Sequence, residues 1–167
     1  SRSSPLTYRF ASLHPEWATV HGMPLAARVP GESPERLWTL GICDLSALVR
    51  VGVKGPRAAE WLSSHGVQVP QQPNSWASTG GGGLIARLAR TEFLIEDGFD
   101  GSVAAGLASE LKPGSPGVYP VPRQDCALAL TGKQVNELLV QTCNVDFSAA
   151  DATARAVTLT QMVGVSI

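Results

Sequence analysis

The sequence predicts an α+β fold in which two strand-helix-strand-strand-helix repeats form antiparallel sheet with helices packed on it. Three observations predict this fold: a one-domain length, an alternating strand followed by a helix near residue 50, and the return of that pattern near residue 128. With 167 residues, of which 44% are hydrophobic, the chain can bury a sizeable core. The two pseudo-repeats are expected at 47–112 and 124–167.

The first repeat opens with a strand whose apolar residues alternate with polar or small ones, as in a half-buried strand. These apolar residues are Val49, Val51 and Val53. Gly55 and Pro56 end the strand, and proline suits the first turn of a helix because it needs no N–H there. We expect that helix to reach about Ser64 and to be closed by Gly66.

A hairpin is predicted next, from two short strands at 84–89 and 92–96. A connector rich in Pro, Gln and Ser (69–75) and the glycine run 80–83 precede it, and the run is interpreted as a flexible entry to the hairpin. The helix that follows has Asp100 or Ser102 as its candidate cap.

The second repeat begins with a strand at 126–130 that is almost wholly apolar, so we expect it to be covered on both faces. Thr131 and Gln134 have the capping-box spacing of a helix start. Segments 155–160 and 162–167 fall where the second hairpin belongs. The repeat stops inside its last strand, so either the chain is truncated or the missing strand and helix are supplied otherwise. Both repeats are of the ferredoxin-like type.

Residues 1–38 contain five prolines among isolated apolar residues, which predicts an irregular arm with a short helix at 35–40, ahead of an α+β domain at 39–167. Trp17 and Trp38 lie in this arm and are the candidate partner interface, because tryptophan is enriched at binding hot spots. Charged residues make up 16% of the chain, against roughly 25% in typical soluble domains. Either a partner covers part of the surface, or the amino-acid composition reflects only the base composition of the genome.

The balance of 13 basic and 14 acidic residues gives a net charge of -1, which argues against nucleic acid or a membrane surface as a partner. The sequence shows neither a transmembrane run nor a secretion signal. Its three cysteines, Cys43, Cys126 and Cys143, lack CxxC spacing and suit a reducing compartment. We therefore expect a cytoplasmic protein.

The search for chemistry predicts neither a catalytic residue nor a metal site. His14, His21 and His65 are scattered, and HExxH and GxSxG are absent. The glycine run lacks the GK[ST] of a phosphate loop. Asp44 stands just before a strand, where a turn or capping role is favoured over acid-base work.

Several short motifs resemble the N-terminal part of glycine-cleavage T-protein aminomethyltransferases, a superfamily that includes folate-dependent demethylating enzymes. These motifs are LGICDLS at 40–46, VKGPRAAEWL at 53–62 and GGLI at 82–85. The chain is more similar still to the gamma-subunit family of heterotetrameric sarcosine oxidases. The matching segments are Ser4-Pro5-Leu6, Leu130-Thr131-Gly132, 142–147 and 154–167.

The sequence differs from the resembled family at the residues that carry out the chemistry of that family. In the aminomethyltransferases the Gly-Gly pair leads to two aspartates, of which the second assists transfer to tetrahydrofolate. Ala86 and Arg87 stand there, and neither side chain can accept a proton in that step. A family histidine is replaced by Ala47, and the C-terminal barrel of the family is missing.

The resemblance therefore implies a non-catalytic subunit that binds no cofactor itself. Its partners would be the alpha and beta subunits of sarcosine oxidase, which hold FAD, FMN, NAD and tetrahydrofolate and demethylate sarcosine to glycine. One alternative is a stand-alone folate-binding or sensing protein. Another is an active aminomethyltransferase that uses Asp97 or Asp100 as a replacement base.

Overall fold

The computed structural model describes residues 2–147, 161–162 and 165–166, and the chain divides into two compact units. Of these residues, 2–47 and 125–147 and the two short terminal strands belong to unit 1, and 48–124 to unit 2. The helices in the described part of the chain are α1 (Thr7–Ala11), α2 (Pro34–Thr39), α3 (Ala58–Ser64), α4 (Val103–Glu110) and α5 (Val135–Thr142). The strands there are β1 (Glu16–Val20), β2 (Met23–Arg28), β3 (Gly41–Asp44), β4 (Arg50–Lys54), β5 (Ser75–Gly80), β6 (Gly83–Ala89), β7 (Glu92–Glu96), β8 (Tyr119–Val121), β9 (Leu128–Thr131), β10 (Gln161–Met162) and β11 (Val165–Ser166).

Unit 2 is a five-stranded antiparallel sheet in the order β5-β6-β7-β4-β8, with α3 and α4 packed against it. The chain order is strand, helix, three strands and helix, with β5 added to the predicted pattern, and the antiparallel sheet with helices packed on it confirms the predicted α+β fold of ferredoxin-like type. Its core residues are Val51, Val53, Ala58, Leu62, Val67, Ile85, Phe93, Ile95, Ala104, Leu107, Leu111 and Val118.

The predicted strand and hairpin of the first repeat are confirmed as β4, β6 and β7. In β4, Val53 stands opposite Phe93 of β7, and both side chains are fully buried. Because side chains alternate along a strand, the apolar positions share the face that the helices cover. Gly66, at φ +77°, closes α3 as predicted.

One strand of this sheet was not predicted. It is β5 (Ser75–Gly80), which follows the connector and forms the edge of the sheet. Its sequence, SWASTG, lacks the alternation of a half-buried strand, so period-two patterning does not reveal it. Gly80, Gly81 and Gly82 all have positive φ and make the turn from β5 to β6. The glycine run is thus a structured turn, not a flexible entry.

In unit 1, β1 and β2 form an antiparallel hairpin, so the prediction of irregular structure was wrong there; α1 also lies in that arm. The turn consists of His21 and Gly22, whose φ values of 47° and 76° are those of a two-residue type I′ turn. His-Gly is a weak signal for this turn, and Pro24 inside β2 argued against a strand. The predicted short helix is present as α2.

The strand predicted at 126–130 is β9, which pairs with β3. Leu128 is 45% exposed, so the expectation of a strand covered on both faces was wrong. The capping box was also wrong, since Gln134 is the N-cap of α5 and no side chain caps the helix. The main chain does so instead: the amides of Lys133 and Gln134 donate to the carbonyls of Trp38 and Thr39.

Most of the predicted second hairpin, at 155–160 and 162–167, lies outside the described residues. Within the described residues, β10 and β11 pair antiparallel. The incomplete second repeat and the domain boundary at residue 38 stay predictions. Among the helices that the structure describes, none combines the length and apolar character that crossing a bilayer requires.

Candidate functional site

Ala86 and Arg87, which the resemblance aligns with the two aspartates of the aminomethyltransferases, lie on β6. Ala86 is almost fully buried. Arg87 donates from Nη1 to the carbonyls of Pro70 at 3.0 Å and Gln71 at 2.7 Å, and from Nη2 to that of Arg90 at 2.6 Å. Its guanidinium therefore fastens the connector before β5 to the β6–β7 turn. A guanidinium has no lone pair with which to accept a proton, so Arg87 is structural.

Asp97, one of the two replacement bases considered above, is committed to helix α4. It is 1% exposed, and its two carboxylate oxygens accept the amides of Ala104 at 2.7 Å and Ala105 at 3.0 Å. Ser102 is the N-cap by position, but its side chain makes no capping bond. The helix is capped by a residue outside it, which sequence spacing does not show. Asp100 is exposed.

Asp44 has the turn role predicted for it. One carboxylate oxygen accepts the amide of Ser46 at 2.9 Å, and the other accepts the hydroxyl of Ser4. Ser4 is buried, and its oxygen accepts the amide of Leu6 at 3.1 Å. The network anchors the start of the chain to the end of β3, and it confirms a turn role for Asp44.

The thiol of Cys43 does not resemble an activated nucleophile. Partial desolvation, together with the negative charges of Asp44 and Glu32, raises the pKa of Cys43, which disfavours its thiolate form. Cys126 accepts a long hydrogen bond from Ser46. Residues 2–147 contain no group of three or more His, Cys, Asp or Glu arranged to hold a metal ion. The absence of a bound metal stays a prediction.

An apolar cavity of about 580 Å³ lies beside α2 and the start of α5. Its lining residues are Pro34, Leu37, Trp38, Thr131, Gly132 and Lys133. Trp38 is 71% exposed, yet its carbonyl is held by the amide of Lys133 at 2.9 Å. Gly132 permits this close approach, because a Cβ there would lie 2.6 Å from the carbonyl oxygen of Thr39. The backbone that presents Trp38 is therefore fixed.

Trp17, the other predicted interface residue, lies on β1 opposite Ala26 and is 43% exposed. It does not line the cavity of Trp38, so the structure does not join the two tryptophans in one site. Ile42 and Leu128, on the paired strands β3 and β9, are also exposed, and they were not among the candidate interface residues predicted from the sequence. The wholly apolar sequence of 126–130 was the available signal, since it fits a partner-covered face as well as a core.

Exposed large apolar residues are concentrated in unit 1. Within the described residues they are Tyr8, Leu13, Trp17, Leu37, Trp38, Leu40, Ile42, Leu128 and Val140 in unit 1, and Phe99 and Tyr119 in unit 2. The buried cluster of unit 1, by contrast, comprises Met23, Leu25 and Ala47. An apolar surface of this kind is typical of an interaction site.

Comparison with known proteins reveals likeness in structure only: no protein-family model matches the chain, and no curated protein matches its sequence. It is similar to the glycine cleavage system aminomethyltransferase T from Bartonella henselae, with 19% identity and a TM-score of 0.62. That match covers 83% of this chain and 43% of the enzyme, so the chain spans less than half its length.

A second similar structure is a heterotetrameric sarcosine oxidase from Corynebacterium sp. U-96, in complex with pyrrole 2-carboxylate. The match has 18% identity and a TM-score of 0.67, and it covers 99% of this chain and 78% of that chain. At such identities the likeness concerns the fold. The chain therefore has a fold that aminomethyltransferase T and a chain of heterotetrameric sarcosine oxidase share.

Proposed function

We propose that this chain is a non-catalytic, gamma-type subunit of a heterotetrameric sarcosine oxidase and acts there as a structural scaffold. One observation carries the proposal. The resemblance aligns Arg87 with the catalytic aspartate of the aminomethyltransferases, and three main-chain carbonyls hold the guanidinium of Arg87. With Asp97 bound to the amides of α4, this part of the chain offers a packed scaffold and no poised base.

The extent of the structural match supports a subunit of this kind. The match to the sarcosine oxidase chain covers nearly all of this chain and most of the other, so the two are of comparable length. In the proposed assembly the alpha and beta subunits hold FAD, FMN, NAD and tetrahydrofolate and carry out the demethylation of sarcosine. The assembly would be cytoplasmic.

We place the docking surface of the subunit in unit 1, at the cavity beside Trp38 and at Trp17. An exposed tryptophan on a fixed backbone loses little conformational entropy on binding, and such residues are typical anchors of interfaces. Most of the exposed large apolar residues in the described part of the chain lie in unit 1, so a partner there would remove more apolar area from water than one on unit 2.

Co-purification tests the proposal. The chain, tagged and recovered from its native lysate, is expected to bring flavoprotein subunits whose absorbance near 450 nm reports stoichiometric flavin, with sarcosine-dependent release of hydrogen peroxide. Trp38→Ala is expected to lower the recovered flavin at least about tenfold, the effect of losing a hot-spot residue. The matched control is Tyr119→Ala, an exposed aromatic residue of unit 2, which should leave recovery unchanged.

A tagged chain that returns alone from the lysate would contradict the proposal. Retention of flavoprotein by the Trp38 variant at the level of the control would leave the subunit role standing but would remove Trp38 from the interface.

The cavity also favours a second candidate, a stand-alone folate-binding protein. Its volume of about 580 Å³ falls within the range of small-ligand sites, and Trp38 offers a ring for stacking. This candidate predicts that tetrahydrofolate binds to the purified chain alone in calorimetry and that Trp38→Ala weakens the binding. Absence of heat at millimolar ligand would reject it.

A further inference from the structure

We propose that a second cavity, in unit 2, binds a phosphate group. The cavity has a volume of about 300 Å³ and lies between the turn that links β4 to α3 and the turn that links β6 to β7. Its lining residues are Gly55, Pro56, Ala59, Arg87, Arg90 and Thr91. The volume is at the lower end of the range for ligand sites and suits a small anion or the end of a larger metabolite.

Two positive charges meet at this cavity without a carboxylate. The ion pairs found among residues 2–147 are Arg50–Glu96, Arg57–Glu60 and Arg123–Glu92, so neither Arg87 nor Arg90 belongs to one. Among the described residues, none that lines the cavity is acidic. Guanidinium groups without a carboxylate partner favour an anionic ligand, and a phosphate dianion matches two of them.

Arg87 retains unused hydrogen-bonding capacity on the guanidinium. Three of its five N–H groups donate to the carbonyls of Pro70, Gln71 and Arg90. Its Nε is buried and finds no acceptor within the described part of the chain. The three carbonyls carry only partial negative charges, so they do not cancel the full positive charge of Arg87. Arg87 therefore gives the cavity a positive potential, whether or not the ligand contacts its Nε.

The backbone of the β6–β7 turn is held from both sides. The carbonyl of Arg90 accepts a hydrogen bond from Arg87, and the carbonyl of Thr91 accepts the amide of Gly55 at 2.9 Å. The guanidinium of Arg90, which is exposed, and the hydroxyl of Thr91 therefore extend from a held backbone at the rim. These two groups would donate to the phosphate oxygens, and the ordering required on binding would concern the side chains and not the main chain.

Titration of the full chain with inorganic phosphate, at constant ionic strength, tests this site. Calorimetry is expected to show saturable binding, and Arg90→Gln is expected to weaken it by about tenfold, the loss typical of one charged hydrogen bond. Arg57→Gln is the matched control, because it removes an equally exposed positive charge of unit 2 that does not line the cavity. It should change the affinity less than about twofold.

Glycerol phosphate distinguishes the two sources of the group. Tighter binding than inorganic phosphate would place the phosphate on a small metabolite, and equal affinity would assign the site to free phosphate. The proposal is overturned by the absence of saturable binding, by equal losses in the two variants, or by acetate competing as strongly as phosphate. None of these results depends on the docking residues of unit 1.

Discussion

At the scale of single residues, Asp97 shows how a carboxylate near a candidate site can be wholly structural. It is buried, and its charge is compensated by two amides at the start of α4, where the helix dipole also favours an anion. Arg87 has a structural role as well, since its guanidinium donates hydrogen bonds to three main-chain carbonyls. Both residues stabilise loops that connect the elements of unit 2.

Replacing Asp97 by alanine is expected to lower the free energy of unfolding by about 1–3 kcal/mol, because two amides of α4 lose their acceptor in a buried position. Denaturant unfolding followed by circular dichroism measures the change. Asp100→Ala is the control, since Asp100 is exposed, and it should stay within about 0.5 kcal/mol of the parent chain. Equal effects of the two substitutions would refute the capping role.

At the scale of elements, the turn between β5 and β6 packs backbone to backbone on the loop that follows β7. A Cβ on Gly98 would lie 2.1 Å from the carbonyl oxygen of Gly81, and one on Gly81 would lie 2.8 Å from the Cα of Gly101. Side chains on either loop would force them apart. The glycines are thus needed for contact as well as for turn geometry.

Gly98→Ala is expected to destabilise the chain by about 1–3 kcal/mol, since the new methyl group meets main-chain atoms that cannot move aside. Gly106→Ala is a control with the opposite sign. Gly106 lies within α4 with no atom near its would-be Cβ, so alanine should stabilise the helix by roughly 0.5–1 kcal/mol. Thermal unfolding that shifts in the same direction for both variants would contradict this assignment.

The elements differ in how far the sequence predicts them. Strand β4 and the hairpin of β6 and β7 follow from alternation, because one face of each is buried. Strands β1 and β5 are not predicted because they are exposed or polar. Strand β2 buries Met23 and Leu25, but Pro24 argues against a strand there and the His21-Gly22 turn is a weak signal. The cap of α4 and the carbonyl contacts of Arg87 join residues up to 17 positions apart, which local spacing does not reveal.

At the scale of the whole molecule, apolar burial is uneven. Among the described residues, unit 2 buries a cluster of twelve and unit 1 a cluster of three. The described part of unit 1 is also held by short two-stranded sheets and by main-chain bonds from Lys133 and Gln134, just before α5, to the end of α2. Two-stranded sheets with little core are marginal by themselves, so we expect the units to differ in local stability.

Hydrogen exchange of the isolated chain is expected to show this difference. The most protected amides of β4, β6 and β7 should exchange at least about tenfold more slowly than those of β1, β3 and β9, because local opening of unit 1 exposes little buried apolar area. Mass spectrometry of peptides from each unit measures the rates. Equal protection in both units would contradict the expected difference in local stability.

The arginine on β6 also limits which substitutions this strand tolerates. An aspartate at position 87 would be too short to reach the carbonyls of Pro70 and Gln71, and its negative charge would repel oxygen atoms that now receive hydrogen bonds. The segment ahead of β5 would lose both of these bonds to the strand. Introducing a carboxylate here would therefore yield a less stable protein, unless the segment ahead of β5 is rebuilt first.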